Sequence, residues 1–249
     1  MGALSGLTAI VTGSGQGLGF AMASALANAG ARLVLVEIRA DRLENTSVEL
    51  RESGAEVIAI AGDVRDRTVA EDAVAQALDA FGRLDILINC AQWLAPPIPF
   101  IDQDREHFAN MIESGLYGTV NFMQAAYPPL KRQGGSIINM SSGAGTGGNV
   151  GQAAYGAAKE AIRGLTRTVA QEWGADGIRI NVICPAVMSP SLIGWFDDKP
   201  EELAATLKLK AMGRFAEGGD LGELAVFLAS PACFLTGQTI HIDGGQVMP

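Results

Sequence analysis

The stretch "LTAIVTGSGQGLGFAMASALANAG", residues 7–30, decides the fold. Its first six residues form a β-branched apolar run, which reads as a buried strand. Residues 17–29 carry Ala, Leu and Met at helical spacing. Between them lies a glycine cluster at 12–19. A strand that passes through glycines directly into a helix is the opening half of a βαβ unit.

Working outward, the alternation continues. "RLVLVE" (32–37), "EVIAIA" (56–61), "LDILIN" (84–89), "SIINMS" (136–141), "IRINVI" (178–183) and a short "QTIHID" (238–243) read as further strands. Amphipathic helices are expected at 41–53, 67–81, 103–132 and 154–174. Strand and helix in alternation imply right-handed crossovers and a parallel sheet covered on both faces. The expected class is α/β, with a single doubly wound domain over 1–249. The stretch "CPAVMSPSLIGWFDDKP" (184–200) reads as irregular, and a loop of that length is expected to be functional. It opens a substrate loop, or lid, at about 186–212.

Composition excludes several classes. Of 249 residues, 48% are hydrophobic and 18% charged, a globular balance. A net charge of −9 argues against nucleic acid, which needs clustered Lys and Arg. Cys90, Cys184 and Cys233 are too few and too scattered for a disulfide framework or a zinc site, so no metal is expected. The start lacks a basic segment ahead of its apolar run, and Gly6 stands where myristoylation requires Ser or Thr. No apolar run approaches spanning length. A soluble, cytoplasmic protein without a membrane partner is expected.

The glycine cluster misses G-x-G-x-x-G, because Leu18 stands where the third glycine belongs. What is present is T-G-x-x-x-G-x-G: Thr12, Gly13, Gly17 and Gly19. Glycines let the backbone approach a pyrophosphate, which the following helix N-terminus attracts. Glu37 ends the second strand about twenty residues on, where an acid binds ribose hydroxyls. Its carboxylate would repel a 2′-phosphate, and neither Gln16 nor Ile38 supplies a compensating charge. NAD is therefore favoured over NADP, with Arg39 the residue able to reverse the preference.

In "QAAYGAAKEAIRG" (152–164), Tyr155 and Lys159 are four residues apart and share a helix face. A phenol titrating near 10 is a poor acid-base at neutral pH, and a neighbouring ammonium would lower it. Ser142 ends the fifth strand, on the sheet edge where ligands bind, and can hold a carbonyl or alcohol oxygen. The three together read as an active site.

These residues resemble the classical short-chain dehydrogenases/reductases over nearly the whole chain. The resemblance rests on Thr12 to Gly19, Asp63-Val64 after the third strand, Asn89 ending the fourth, Ser142, Tyr155-x-x-x-Lys159 and "FLTGQTIHIDGG" (234–245). It implies a nucleotide-binding sheet of about seven strands and hydride transfer between NAD(P) and an alcohol or carbonyl. By that resemblance Tyr155 is the acid-base and Ser142 orients and polarises the substrate oxygen. Lys159 binds the nicotinamide ribose and tunes the tyrosine. Gly13, Ser14, Gly15, Gln16, Gly17, Leu18 and Gly19 line the cofactor with Glu37, Asp63 (adenine), Val64, Asn89, Pro185 and Met188. A homotetramer packed through the helices near 103–132 and 154–174 is implied.

Four stretches depart from the family pattern. Asn89-Cys90-Ala91-Gln92 replaces N-N-A-G, and Pro185-Ala186 replaces Pro-Gly. Pro190 aligns with the threonine that binds the carboxamide, leaving Ser189 or Ser191 to substitute. Gly115, in "IESGLYG" (112–118), stands where a relay asparagine belongs, so a relay would run through the Gly115 backbone with help from the Ser114 hydroxyl.

Gln92, Trp93 and Trp195 are expected in the substrate pocket, with Leu94 and Phe196, which points to an apolar or cyclic secondary alcohol or ketone. Three rivals deserve weight. A 3-oxoacyl-acyl-carrier-protein reductase would use Lys131 and Arg132 against an acidic carrier. A non-catalytic NAD-binding sensor would have lost Tyr155 or Lys159. A halohydrin dehalogenase would lack the glycine turn and carry Arg at 159.

Overall fold

The computed structural model describes residues 2–188 and 190–248, without the side chains of Pro190 and Ser191. The chain begins with β1 (Thr8–Thr12), α1 (Gly17–Asn28), β2 (Arg32–Glu37), α2 (Ala40–Glu52), β3 (Val57–Ala61), α3 (Arg67–Phe81) and β4 (Ile86–Asn89). It continues through α4 (Arg105–Ile112), a π-helical turn (Glu113–Tyr117), α5 (Gly118–Gln133), β5 (Gly135–Met140), α6 (Gly143–Gly147) and α7 (Ala153–Trp173). The last part holds β6 (Ile178–Pro185), α8 (Pro190–Phe196), α9 (Pro200–Lys208), α10 (Gly218–Ala229) and β7 (Thr239–Ile242).

All seven strands are parallel in one sheet, ordered β3-β2-β1-β4-β5-β6-β7. The period-two alternation of each strand divides its apolar residues between two cores. Ala9, Val11, Leu33, Leu35, Ile86 and Ile88 face α1, α2 and α10. Ile10, Val34, Val36, Leu87 and Ile137 face α3, α5 and α7. Strand order reverses between β1 and β4, so the crevice at their carboxyl ends is the ligand-binding position of such a sheet.

Three expectations are corrected. The helix expected over 103–132 is two helices separated by the π turn, where Gly115 and Gly118 weaken the regular ladder. The stretch 184–200 is not irregular throughout, since β6 runs to Pro185 and Pro190–Phe196 is helical. The chain also forms α10, whose Gly218, Gly219 and Gly222 mute the helical signal. There a capping box between Glu217 and Asp220 compensates, and Gly222 admits Ala25 of α1, whose methyl would lie 2.6 Å from an added Cβ.

Candidate active site

The turn after β1 is shaped by contacts that exclude side chains. Gly13 and Gly17 adopt positive φ, 67° and 55°. A Cβ on Gly13 would lie 2.8 Å from Ala91 Cα, and one on Gly19 would collide with the Gly13 carbonyl. Thr12 Oγ1 accepts the backbone N–H groups of Cys90 (3.0 Å) and Ala91 (3.1 Å), which ties this turn to the exit of β4. Gly13 N–H and the Ser14 hydroxyl both donate to Val36 O. Leu18 packs on the core below. Gln16 is the N-cap of α1 without a side-chain cap bond, and the helix's first turn holds no acid, so its free N–H groups suit an anion.

Glu37 closes this side. It is 8% exposed, and its two oxygens accept from Gly15 N–H and Arg39 N–H, both at 3.1 Å. The Arg39 guanidinium turns away to a bidentate pair with Asp41 at 3.1 and 3.0 Å. Asp63 is held by Arg65, whose Nη2 and Nε approach Oδ2 at 2.6 and 2.8 Å, and Val64 beside it is buried. Asn89 donates to Asn139 Oδ1 at 2.8 Å, which leaves Asn89 Oδ1 buried without a donor. Burial pushes the Cys90 thiol up to about 11. The glycine turn, the Glu37 carboxylate and the orphaned Asn89 oxygen fit a nicotinamide dinucleotide. Among the described residues no cluster of His, Cys, Asp or Glu could hold a metal ion.

The end of β5 gathers the candidate catalytic groups. Lys159 is 4% exposed, and its Nζ donates to Met140 O at 3.0 Å. Its backbone carbonyl accepts the Ser141 hydroxyl at 2.9 Å, so the strand end grips α7 at two points. Ser142 caps α6, its oxygen accepting Ala144 N–H at 3.2 Å, which leaves its own hydrogen to donate elsewhere. Lys159 Nζ is 5.6 Å from the Tyr155 ring centroid.

The charges depart from expectation. Burial pushes the Tyr155 phenol above its ordinary value, with Ser142 pulling the other way. Burial also pushes Lys159 down to about 8. In both groups desolvation is the largest cause of the shift.

Gly115 lies in the π turn, its carbonyl already accepting Gly118 N–H and the Thr119 hydroxyl at 2.8 Å. A relay through that carbonyl would compete with both donors. The Ser114 hydroxyl bonds the backbone, donating to Asn110 O at 2.6 Å. Gln92 reaches the same turn, donating to Ser114 Oγ at 3.3 Å and, at the end of α4, to Met111 O at 3.1 Å. This contact escaped the sequence reading, although a larger residue at 92 and a smaller one at 115 are complementary in volume. Trp93 is 40% exposed and stacks edge-on against His107, while Trp195, 42% exposed on α8, carries Lys199 over its ring at 3.4 Å. Pro185 pairs with Ile242 of β7, and Met188 N–H bonds Ala216 O at 3.1 Å. Ser189 and the side chains of Pro190 and Ser191 lie outside the described residues.

Comparison with known proteins agrees with this geometry. Residues 13–246 match the family described as "Enoyl-(Acyl carrier protein) reductase". A 12alpha-hydroxysteroid dehydrogenase from a Clostridium species is 42% identical, covering 99% of this chain and 98% of its own. A 3-oxoacyl-[acyl-carrier-protein] reductase from Staphylococcus epidermidis is 33% identical over 97% of this chain and 99% of its own. The crystal structure of levodione reductase superposes with a TM-score of 0.91 at 30% identity, covering 98% of each chain. The chain is an oxidoreductase and belongs to the classical short-chain dehydrogenase/reductase family.

Proposed function

We propose that the protein interconverts a secondary alcohol and its ketone with NAD as hydride carrier, and that the substrate is apolar and cyclic. One observation carries the reading: Lys159 lies over the Tyr155 ring and donates to Met140 O, two residues before Ser142 at the carboxyl end of β5, on the same sheet edge where Glu37 ends β2 beside the glycine turn. A bound nicotinamide ring would give or take the hydride. In reduction, Tyr155 transfers its phenolic proton to the substrate oxygen as the carbon receives hydride, and Lys159 stabilises the phenolate left behind. Ser142 donates its hydrogen to the same oxygen and so fixes which carbon faces the ring. Oxidation reverses each step. The glycine turn (Gly13, Ser14, Gly15, Gln16, Gly17, Leu18, Gly19) and Asp63, Val64, Asn89, Pro185 and Met188 hold the dinucleotide, with Ser189 or Ser191 serving where the family uses threonine.

Gln92, Trp93 and Trp195 would line the substrate side, and the hydroxysteroid and levodione relatives support a ring-bearing substrate. The protein acts in the cytoplasm as a homotetramer packed through α4, α5 and α7; among the described residues no helix is long and apolar enough to cross a membrane. A panel of cyclic secondary alcohols and ketones, hydroxysteroids and cyclic diketones included, scored with NAD and NADP by nicotinamide absorbance, tests this. No turnover despite NADH binding would favour the sensor reading.

A second reading, reduction of a 3-oxoacyl thioester on an acyl carrier, has the 3-oxoacyl-[acyl-carrier-protein] reductase relative behind it. Lys131 counts against it, being engaged by Tyr127 (3.1 Å) and Asp176 (3.7 Å). A 3-oxoacyl thioester in the same panel separates the two.

A further inference from the structure

Residue 115 is glycine for a reason other than its own backbone. Gly115 is absent from the positive-φ glycines, so an L side chain there would meet no conformational strain. What excludes one is Gln92. A Cβ on residue 115 would collide with Gln92 Oε1 and lie 3.0 Å from both its Cδ and its Nε2.

Gln92 is not free to swing aside. Its Nε2 faces Met111 O (3.1 Å), Trp93 O (3.2 Å) and Ser114 Oγ (3.3 Å). Flipping the amide would set its oxygen against two carbonyls, so the network fixes the orientation. Oε1 must then point at Gly115, where it is buried without a donor. Ser114 completes the tie, accepting Trp93 N–H at 3.0 Å. One amide and one hydroxyl thus stitch the loop after β4 to Met111, Ser114 and Gly115, on both sides of the point where the helix changes pitch. That π turn packs directly against α7, the helix carrying Tyr155 and Lys159.

We propose that Gln92 and Gly115 form one unit, in which the Gln92 carboxamide takes the place of a residue-115 side chain and positions the π turn against the catalytic helix. Gln92 is a positioning residue, and this role rests on the reading of Tyr155 and Lys159 given above. Removing the amide leaves space over Gly115 and frees Met111 O and Ser114 Oγ. Adding a side chain at 115 drives Gln92 from its partners. Making both changes, Gln92→Gly with Gly115→Asn, returns a carboxamide to the same space from the helix side.

The test is a double-mutant cycle over Gln92→Gly and Gly115→Asn, read by kcat, by the pH profile of kcat, by NADH affinity and by amide hydrogen exchange across residues 110–119. Each single substitution should lower kcat by about tenfold or more, displace its pH profile and speed exchange in the π turn, with NADH affinity unchanged. The double variant should recover kcat to within about threefold of the wild type and restore slow exchange. Gly115→Ala adds only the offending carbon, and should be harmful with Gln92 present and harmless in the Gln92→Gly background. Additive losses in the double variant, or wild-type kcat and exchange in Gln92→Gly, would overturn the pairing. Rescue of exchange in a protein that turns over no alcohol would support the pairing and overturn the secondary-alcohol reading of the site.

Discussion

The backbone N–H of Gly15 donates to Glu37 Oε2 at 3.1 Å, joining the glycine turn to the end of β2. With Oε1 held by Arg39 N–H, the carboxylate is fixed where the adenosine ribose would lie. A fixed anion accepts ribose hydroxyls and repels a 2′-phosphate. NAD should therefore give the higher kcat/KM. Glu37→Ser should narrow the gap, and adding Asp41→Ala should narrow it further by releasing Arg39. The second gain should be modest, because the Arg39–Asp41 pair is exposed and solvent screens it. Coenzyme kinetics on the three proteins check this, and wild-type kcat/KM favouring NADP would contradict it.

Tyr155→Phe keeps the ring and removes the transferable proton. Its kcat should fall by roughly 10²–10⁴-fold while NADH affinity, followed by fluorescence, stays near wild type. Substantial turnover by this variant would assign the proton to another group.

The pH dependence follows from the directions of the shifts. Alcohol oxidation needs the phenolate, and burial holds the Tyr155 phenol above its ordinary value. Oxidation should accordingly accelerate with rising pH through the neutral and alkaline range. Ketone reduction needs the phenol protonated and Lys159 charged, so it should be flat near neutrality and decline once pH passes about 8, where Lys159 titrates. Parallel profiles for the two directions would contradict these roles.

Lys159 also leaves a signature in stability. Its folded pKa, about 8, lies below its ordinary 10.5, so between these values the unfolded chain binds more protons than the folded one. Stability therefore rises with pH across that window as the cost of burying the ammonium is relieved. Lys159→Met lacks this group, so melting temperatures from pH 8 to 9.5 should show the wild type gaining on the variant. A constant difference between the two curves would place the ammonium in solvent.

How much of this was legible in sequence depended on locality. The strands from Thr8 to Glu37 read correctly because a fully buried parallel strand is an unbroken apolar run. Tyr155 and Lys159 stood out because helical spacing is a local property. The π turn was hidden, since Gly115 and Gly118 weaken a helix without specifying what replaces it. The Gln92–Gly115 contact joins residues from two elements, and no periodicity relates them. The elevated phenol was missed because desolvation depends on the packed surroundings, which composition does not disclose.

The central claim is direct hydride transfer from a carbinol carbon, with Tyr155 managing the proton. It is tested most directly by incubating the wild-type protein with NAD and cyclic secondary alcohols deuterated at the carbinol carbon, hydroxysteroids included, and weighing the recovered coenzyme. The account predicts deuterium in the reduced nicotinamide from the wild type and labelling slower by roughly 10²–10⁴-fold from Tyr155→Phe, although both bind NADH. Reduced coenzyme without deuterium, or equal labelling by the two proteins, would contradict it.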